Sequence, residues 1–434
     1  MSQLTLLPDS HPANAPQLAA RQSKQMNVIH VPRRFAGSEW GGTETTILET
    51  SRALITKGHS SSIVTTTALC EQELEEMQGV RIHRHKYVYP FLGLSNQDKR
   101  DMDRKGGNLL SISMLKTLLR APDLDILHAH SGKRLGGIVR TAARLRKLPY
   151  VISLHGGVID VPSTETQQML EPIKGSFEWG RAFGALLGAR RVLEDASAIL
   201  CVGQNEQQAV QARYPGQRVE WLPNGVDADH FADGNGRAFR EKNGIPHKSK
   251  MILNVGRIDP QKNQLTLLES MPGLLRRNSD IHLVLVGPVT VESYGMELLN
   301  KINAASLYNN VTVLPGLRGG SEELVDAFHA ADIFCLPSRH EPFGIVVLEA
   351  WAAGLPVVAA RVGGIPSFTR DGEDVLHADA GDPESFGLAI ERLLRNGDLA
   401  SEIAANGRRK ARTQFDWNRI TDRLESIYRD LLRA

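Results

Sequence analysis

The feature that most constrains this chain is a set of strands with no polar face. In the second half the runs 251–258, 281–288, 311–316, 333–337 and 356–360 are continuously apolar rather than alternating. Such strands have to be covered on both sides, which calls for a parallel sheet with helices above and below. Helical periodicity falls between them, near 263–277, 292–304, 321–330, 344–354 and 384–396. The first half shows the same alternation. Strands are expected at 27–32, 60–66, 80–87, 125–130, 150–156, 198–204 and 219–227, with helices at 45–58, near 108–120 and at 133–147. The stretch from Thr166 to Asp195 reads as a long helix broken near Pro172–Gly175.

This pattern predicts an α/β protein of two doubly wound parallel-sheet domains. Residues 1–25, with Pro8, Pro12 and Pro16 among polar residues and alanines, read as a disordered tail. The first domain is expected over 26–228 and the second over 229–415, joined through the Pro, Asn and Gly of 222–227 and a polar, Gly-rich linker around 233–243. Two further helices, near 398–413 and 416–434, close the chain.

Composition removes several classes. A net charge of +2 over 434 residues gives no nucleic-acid footprint. Cys70, Cys201 and Cys335 are odd in number and share no short spacing, so they read as small core residues in a reducing compartment rather than a disulfide or zinc site. The longest apolar stretch, 344–360, is interrupted by Glu349 and Pro356, which argues against a membrane span.

The segment 332–366 carries most of the chemistry. It reads as a buried strand, a polar loop holding Glu341, a helix opening near Phe343–Gly344, and a second buried strand after Pro356. Glu349 then lies about 8 Å further along the axis than Glu341. Between the two acids are the free N–H groups and positive dipole end of the helix, a place for an anion flanked by hydroxyl groups. A nucleoside-diphosphate sugar has that shape.

Three more elements sit where a doubly wound fold binds ligands, at the carboxyl ends of its strands. Gly41–Gly42 would let backbone approach a phosphate; alternatively they serve a turn. No G-x-G-x-x-G occurs at a strand-to-helix turn, which weakens a dinucleotide-dehydrogenase reading. His155 ends the strand 150–156, and Arg257 and Lys262 follow the first strand of the second half. An Arg fork with a Lys point charge suits a diphosphate. Glu341 and Glu349 as the acid and base of a glycoside hydrolase are disfavoured, because a nucleoside diphosphate leaves without a protonated carboxylic acid.

These residues resemble the retaining glycosyltransferases of family 4, glycosyl transferases group 1, whose GT-B fold sets two Rossmann-like domains facing across a cleft. EPFGIVVLE (341–349) matches the family's Glu, seven residues, Glu signature. GGTE (41–44), LHGG (154–157), LPNGVD (222–227), GRIDPQK (256–262) and PVVAARVGGIP (356–366) accompany it in order. Ser367 stands where many members carry Glu. The resemblance implies that Gly41 and Gly42 close over the donor phosphates, His155 contacts the donor sugar, and Arg257 and Lys262 hold the diphosphate. It implies further that Glu341 binds sugar hydroxyls, that the N–H groups of Phe343, Gly344 and Ile345 meet the phosphate, and that Glu349 binds the ribose. Leu317 and Arg318 would lie near the base. The helix 416–434 would cross back onto the first domain, and no metal or cofactor would be needed.

The expected substrate is a UDP-, GDP- or ADP-sugar, and the acceptor a glycan, a lipid-linked glycan or a small molecule. The place is the cytoplasm, with peripheral contact at the inner face of the membrane through the basic segments 99–116 and 174–191 and their apolar residues. A nucleotide-sugar epimerase of similar architecture, a synthase with a sugar-phosphate acceptor and a non-catalytic binder are the competing readings.

Overall fold

The computed structural model describes residues 25–434 apart from 38–39, 105, 157–169 and 279. Residues 1–24 of the expected N-terminal tail and Gly157 therefore lie outside the described residues. Sixteen strands are described: β1 (Asn27–Val31), β2 (Ser60–Thr66), β3 (Leu74–Met77), β4 (Val80–His85), β5 (Phe91–Leu92), β6 (Ile126–Ala129), β7 (Tyr150–Leu154), β8 (Phe177–Glu178), β9 (Ala198–Cys201), β10 (Val219–Trp221), β11 (Lys250–Val255), β12 (Ile281–Val286), β13 (Val311–Leu314), β14 (Ile333–Leu336), β15 (Val357–Ala360) and β16 (Leu376–Ala378).

They form an eight-stranded sheet in the order β10-β9-β7-β6-β1-β2-β4-β3, a six-stranded sheet in the order β13-β12-β11-β14-β15-β16, and the small ribbon β5-β8. In the two large sheets only β3 runs antiparallel to its neighbour. Strands β6, β7, β9, β12, β14 and β15 are buried along their whole length. That is why the sequence reads as unbroken apolar runs.

Strand order reverses at β1, between β2 and β6, and again at β11, between β12 and β14. At a reversal the loops leave to opposite faces, so a crevice opens at the carboxyl ends of the two strands. The loops after β1, β6 and β7 line the first crevice, and those after β11 and β14 line the second.

The chain passes between the two sheets twice, side by side. Val226 N–H donates to Phe415 O at 2.8 Å and Trp417 N–H donates to Val226 O at 3.2 Å. The last helix, Trp417–Arg433, begins at an Asp416 cap. Its buried stripe of Trp417, Ile420, Leu424, Ile427 and Tyr428 packs against Met26, Val28, Ile126, Val151 and Leu200 along the first sheet and against Leu54 of the helix Gly42–Thr56. Each fully buried side chain of this size contributes roughly 1.5–3 kcal/mol.

Two expectations need correction. The stretch from Thr166 to Asp195, as far as it is described, is no long helix: it holds a 3-10 turn at Glu171–Ile173, strand β8, a short helix Arg181–Leu186 and turns. Gly175 and Gly188 have φ of +78° and +63°, and Gly180 packs with no room for a Cβ against Pro90. These glycines break the helix where apolar spacing alone would continue it. The expected linker at 233–243 contains the helix Gly236–Lys242, capped by Asn235. It packs on Glu322–Ala330, with Gly236 directly against the His329 carbonyl.

The apolar residues of the basic segment 99–116 are also placed. Leu109, Leu110 and Met114 are buried in the core and Leu115 packs against it, so they offer nothing to a membrane. The second segment keeps an outward face, with Phe177 66%, Trp179 40%, Phe183 42% and Leu186 81% exposed. Among the described residues no helix is long and apolar enough to cross a membrane. Cys201 and Cys335 are buried, Cys70 is half-buried, and all three are free thiols.

Candidate active site

The loop after β11 and the loop after β14 are clasped together. Arg339 N–H donates to Gln261 O at 2.8 Å, and Gln261 Nε2 donates to His340 O at 3.1 Å. Asp259, which sequence reasoning left without a role, organises the first loop. Its buried carboxylate accepts from Lys262 N–H at 2.9 Å, pairs with the Arg257 guanidinium at 3.1 Å and accepts from Thr290 Oγ1 at 3.2 Å. A carboxylate under an arginine fixes the direction of the fork. Lys262 Nζ donates to Glu341 Oε2 at 2.5 Å, and Ser338 Oγ donates to the same oxygen at 3.1 Å. The Lys262–Glu341 pair is thus built, with both side chains mostly buried.

The glycines of Val362-Gly363-Gly364 find their reason here. A Cβ on Gly363 would lie 2.1 Å from Glu341 O, and one on Gly364 would lie 2.1 Å from Pro342 O. Only glycine lets that segment run across the Glu341–Pro342 backbone, where Gly364 N–H donates to Glu341 O at 2.8 Å. Gly344 then caps the helix Ile345–Ala352 in the left-handed region at φ 96°, with no side chain capping the N-terminus. For Phe343 the expectation concerns the backbone N–H alone. Its ring is buried and stacks on Phe368 at 4.5 Å, so only its backbone is left to serve a ligand.

From the other sheet, Gly41 and Gly42 begin the helix Gly42–Thr56, where Glu44 accepts from Gly41 N–H at 3.1 Å. A Cβ on Gly42 would lie 3.0 Å from Ile345 Cδ1, so the two helix starts face each other. Trp40 lies against Gly319. Gly156, with φ +87°, touches Pro342 so closely that a Cβ would fall 2.1 Å from the Pro342 Cβ. The His155–Gly156 loop thereby meets the Glu341–Pro342 loop.

Beside these contacts is a cavity of about 270 Å³ lined by Trp40, Glu49, His230, Arg318, Ile345 and Glu349, among others. The structure puts Arg318 and Glu349 on its wall, while Leu317 packs against the apolar core. Burial pushes the Glu349 carboxyl up to about 7, since no cation offsets the loss of water. A carboxylate kept short of partners in a cavity is suited to accepting from a ligand's hydroxyls.

His155 belongs to a row. His30 Nδ1 lies 3.0 Å from His130 Nε2, and His130 Nδ1 lies 2.9 Å from His155 Nε2. His128 stacks on His130 at 4.2 Å and uses its own nitrogens on Tyr428 Oη at 2.6 Å and Ser153 Oγ at 2.7 Å. The register of β1 on β6 pairs His30 with His128 and so creates the row. Burial holds all four imidazoles below their ordinary range, His30 to about 3 and His155 to about 4. His30, His128 and His130 bring nitrogens within 4.8 Å of one another, a spacing a metal ion could use. Both nitrogens of His128, however, are already committed to Tyr428 and Ser153. The signal for the row was His128 and His130 at alternate positions on one strand, which sequence alone did not distinguish from ordinary core histidines.

Comparison with known proteins decides the family. The sequence model described as Glycosyl transferases group 1 matches residues 236–410, and that described as Glycosyltransferase Family 4 matches 40–230. The chain belongs to the family 4 glycosyltransferases. Relatives of this glycosyltransferase include the D-inositol 3-phosphate glycosyltransferase of Nocardioides sp., 28% identical, with 90% of this chain and 85% of that protein covered. D-inositol 3-phosphate glycosyltransferase 2 of Catenulispora acidiphila is 28% identical, with 95% of each covered. Among solved structures, HepE of Anabaena in complex with UDP superposes with a TM-score of 0.70 at 18% identity, covering 93% of this chain and all of that one. Sucrose-phosphate synthase of Thermosynechococcus elongatus gives 0.68 at 20% identity, covering 94% and 99%. The fold of this glycosyltransferase is GT-B.

Proposed function

We propose that this glycosyltransferase moves a hexosyl-type sugar from a UDP-, GDP- or ADP-sugar to a hydroxyl acceptor, with retention at the anomeric carbon and without a metal or cofactor. The observation that carries the reading is the meeting of the His155–Gly156 loop with the Glu341–Pro342 loop, beside the facing helix starts at Gly42 and Ile345. In this reading Arg257, Lys262 and the N–H groups from Phe343 to Ile345 stabilise the diphosphate as negative charge develops on it. Gly41 and Gly42 cover it from the other side, Glu341 and His155 hold the sugar, and Glu349 and Arg318 take the nucleoside in the adjoining cavity. Lys262 exchanges part of its contact with Glu341 for the phosphate.

Transfer then breaks the bond between C1 and the diphosphate oxygen and forms a bond from C1 to the acceptor oxygen on the same face. The acceptor's proton passes to the departing phosphate oxygen. The acceptor is a glycan or lipid-linked glycan in polysaccharide or glycoconjugate synthesis. A second reading, a phosphorylated polyol as acceptor, draws support from the names of the inositol-phosphate relatives. We place the enzyme in the cytoplasm, touching the inner face of the membrane through Trp179, Phe183 and Leu186. Binding and slow hydrolysis of a panel of UDP-, GDP- and ADP-sugars test the core of this reading, with Lys262→Ala and Glu341→Ala as controls. It fails if no donor binds, or if neither substitution changes binding or turnover.

A further inference from the structure

We propose that His130 and His30 are positioning residues that hold His155 as the Nδ1–H tautomer, so that it presents an N–H donor to the cleft. The inference deepens the proposed function, since it takes His155 as a contact of the donor sugar.

A neutral imidazole carries one ring proton, and each of the contacts His30–His130 and His130–His155 needs one proton between its two nitrogens. With three neutral rings, two arrangements satisfy both contacts. In the outward one, His30 Nδ1–H donates to His130 Nε2 and His130 Nδ1–H donates to His155 Nε2, which leaves the His155 proton on Nδ1. In the inward one every bond is reversed and the His30 proton sits on Nε2. Any other distribution sets two bare lone pairs or two protons against each other across about 3 Å.

The free end of the row separates the two. His30 is fully buried and its Nε2 has no hydrogen-bond partner. The inward arrangement would bury an orphaned N–H, while the outward one leaves only a bare acceptor there. Orphaned buried N–H groups are the rarer and costlier case. The outward arrangement is thus favoured, and the far end of the row fixes which nitrogen of His155 carries the proton.

The surroundings keep the three rings neutral and the direction unopposed. Among the described residues no carboxylate is hydrogen-bonded to, or ion-paired with, His30, His128, His130 or His155. Another common way of orienting a functional histidine, a carboxylate behind it, is therefore not used, and a second imidazole stands in that place. His128 does not compete for the row, because Tyr428 and Ser153 occupy both its nitrogens.

The test uses the full chain labelled with ¹⁵N-histidine at pH 7.5. Long-range ¹H–¹⁵N correlations report which ring nitrogen of each histidine is protonated, and His155→Gln identifies the His155 signals. We expect a protonated Nδ1 and a bare Nε2 at His155 in the wild type. In His130→Phe the ring volume is kept and the chain of bonds is cut, so His155 should shift toward the Nε2–H form and donor kcat/KM should fall about tenfold, the loss of one oriented hydrogen bond. His130→Gln, which can accept from His30 and donate to His155, should recover most of both. His30→Phe serves if His130→Phe does not fold. A wild-type His155 protonated at Nε2, a tautomer unmoved by cutting the row, or one equivalent of zinc bound to the purified protein and lost in His30→Phe overturns the proposal. If the tautomer is as expected but no donor turns over, it is the transferase reading that falls.

Discussion

Replacing Gly156 by alanine should disable the enzyme far more than it unfolds it. The left-handed backbone at φ +87° costs an alanine roughly 1–2 kcal/mol. At the 2–4 °C per kcal/mol typical of units near 200 residues, Tm should drop by roughly 2–8 °C. The steric effect points elsewhere. A Cβ would sit 2.1 Å from Pro342 Cβ and 2.6 Å from its Cγ, so Pro342 must retreat by more than about 1 Å to reach ordinary contact. Pro342 adjoins Glu341, which anchors Lys262, and a displacement of about 1 Å at reacting groups costs on the order of 10²-fold in rate. Donor turnover and melting should be measured side by side, with Gly397→Ala, where a Cβ meets nothing within 4 Å, as the neutral control. Wild-type turnover in a Gly156→Ala chain would refute the idea that the two loops meet at the site.

Other outcomes follow from the same geometry. Lys262→Ala should weaken donor binding at least tenfold, read by calorimetry, because it removes a charge-assisted donor worth roughly 1.5–3 kcal/mol and leaves the Glu341 carboxylate without its cation. Glu349 binds its proton more tightly when folded, so the folded state holds more protons than the unfolded between about 4.5 and 7. Stability from this group is present at the low end and lost as pH rises through 7; Glu349→Gln should remove that loss from a Tm profile. The histidine row acts in the opposite sense. With His30 near 3 and His155 near 4 when folded, the unfolded chain takes up protons first below pH 6.5, and stability should fall on acidification toward pH 4 in denaturant titrations. Flotation with anionic liposomes should recover the wild type and not Trp179→Ser/Phe183→Ser; no binding at low salt would sink the membrane contact.

Much of this architecture could be read from residue patterns because parallel strands buried on both faces leave a coarse signal. Strands β11 to β15 appear as apolar runs, and the last helix is legible at 416–434, although its crossing back onto the first sheet follows only from the family resemblance. What escaped was short or set by packing: the ribbon β5–β8, the edge strands β3 and β16, and the helix Gly236–Lys242, whose glycine start looks like a linker until His329 is placed against it. In the site, motif spacing singled out Glu341, Lys262 and Gly42. It could not find Asp259 as the organiser of its loop, nor the coupling of His155 to His130 and His30, because those depend on which strands become neighbours.

The bond between His128 and Tyr428 joins residues 300 positions apart. During synthesis the first sheet emerges early, but the surface formed by Met26, Val28, Ile126 and Val151 has no cover until the last helix leaves the ribosome. Until then a sticky apolar face stays open through the translation of the whole second sheet, and late-forming long-range contacts are slow to close. Folding of the first half is thus tied to completion of the second. A nascent chain interrupted before Tyr428 would expose that face to chaperones or aggregation, however well its strands had already paired.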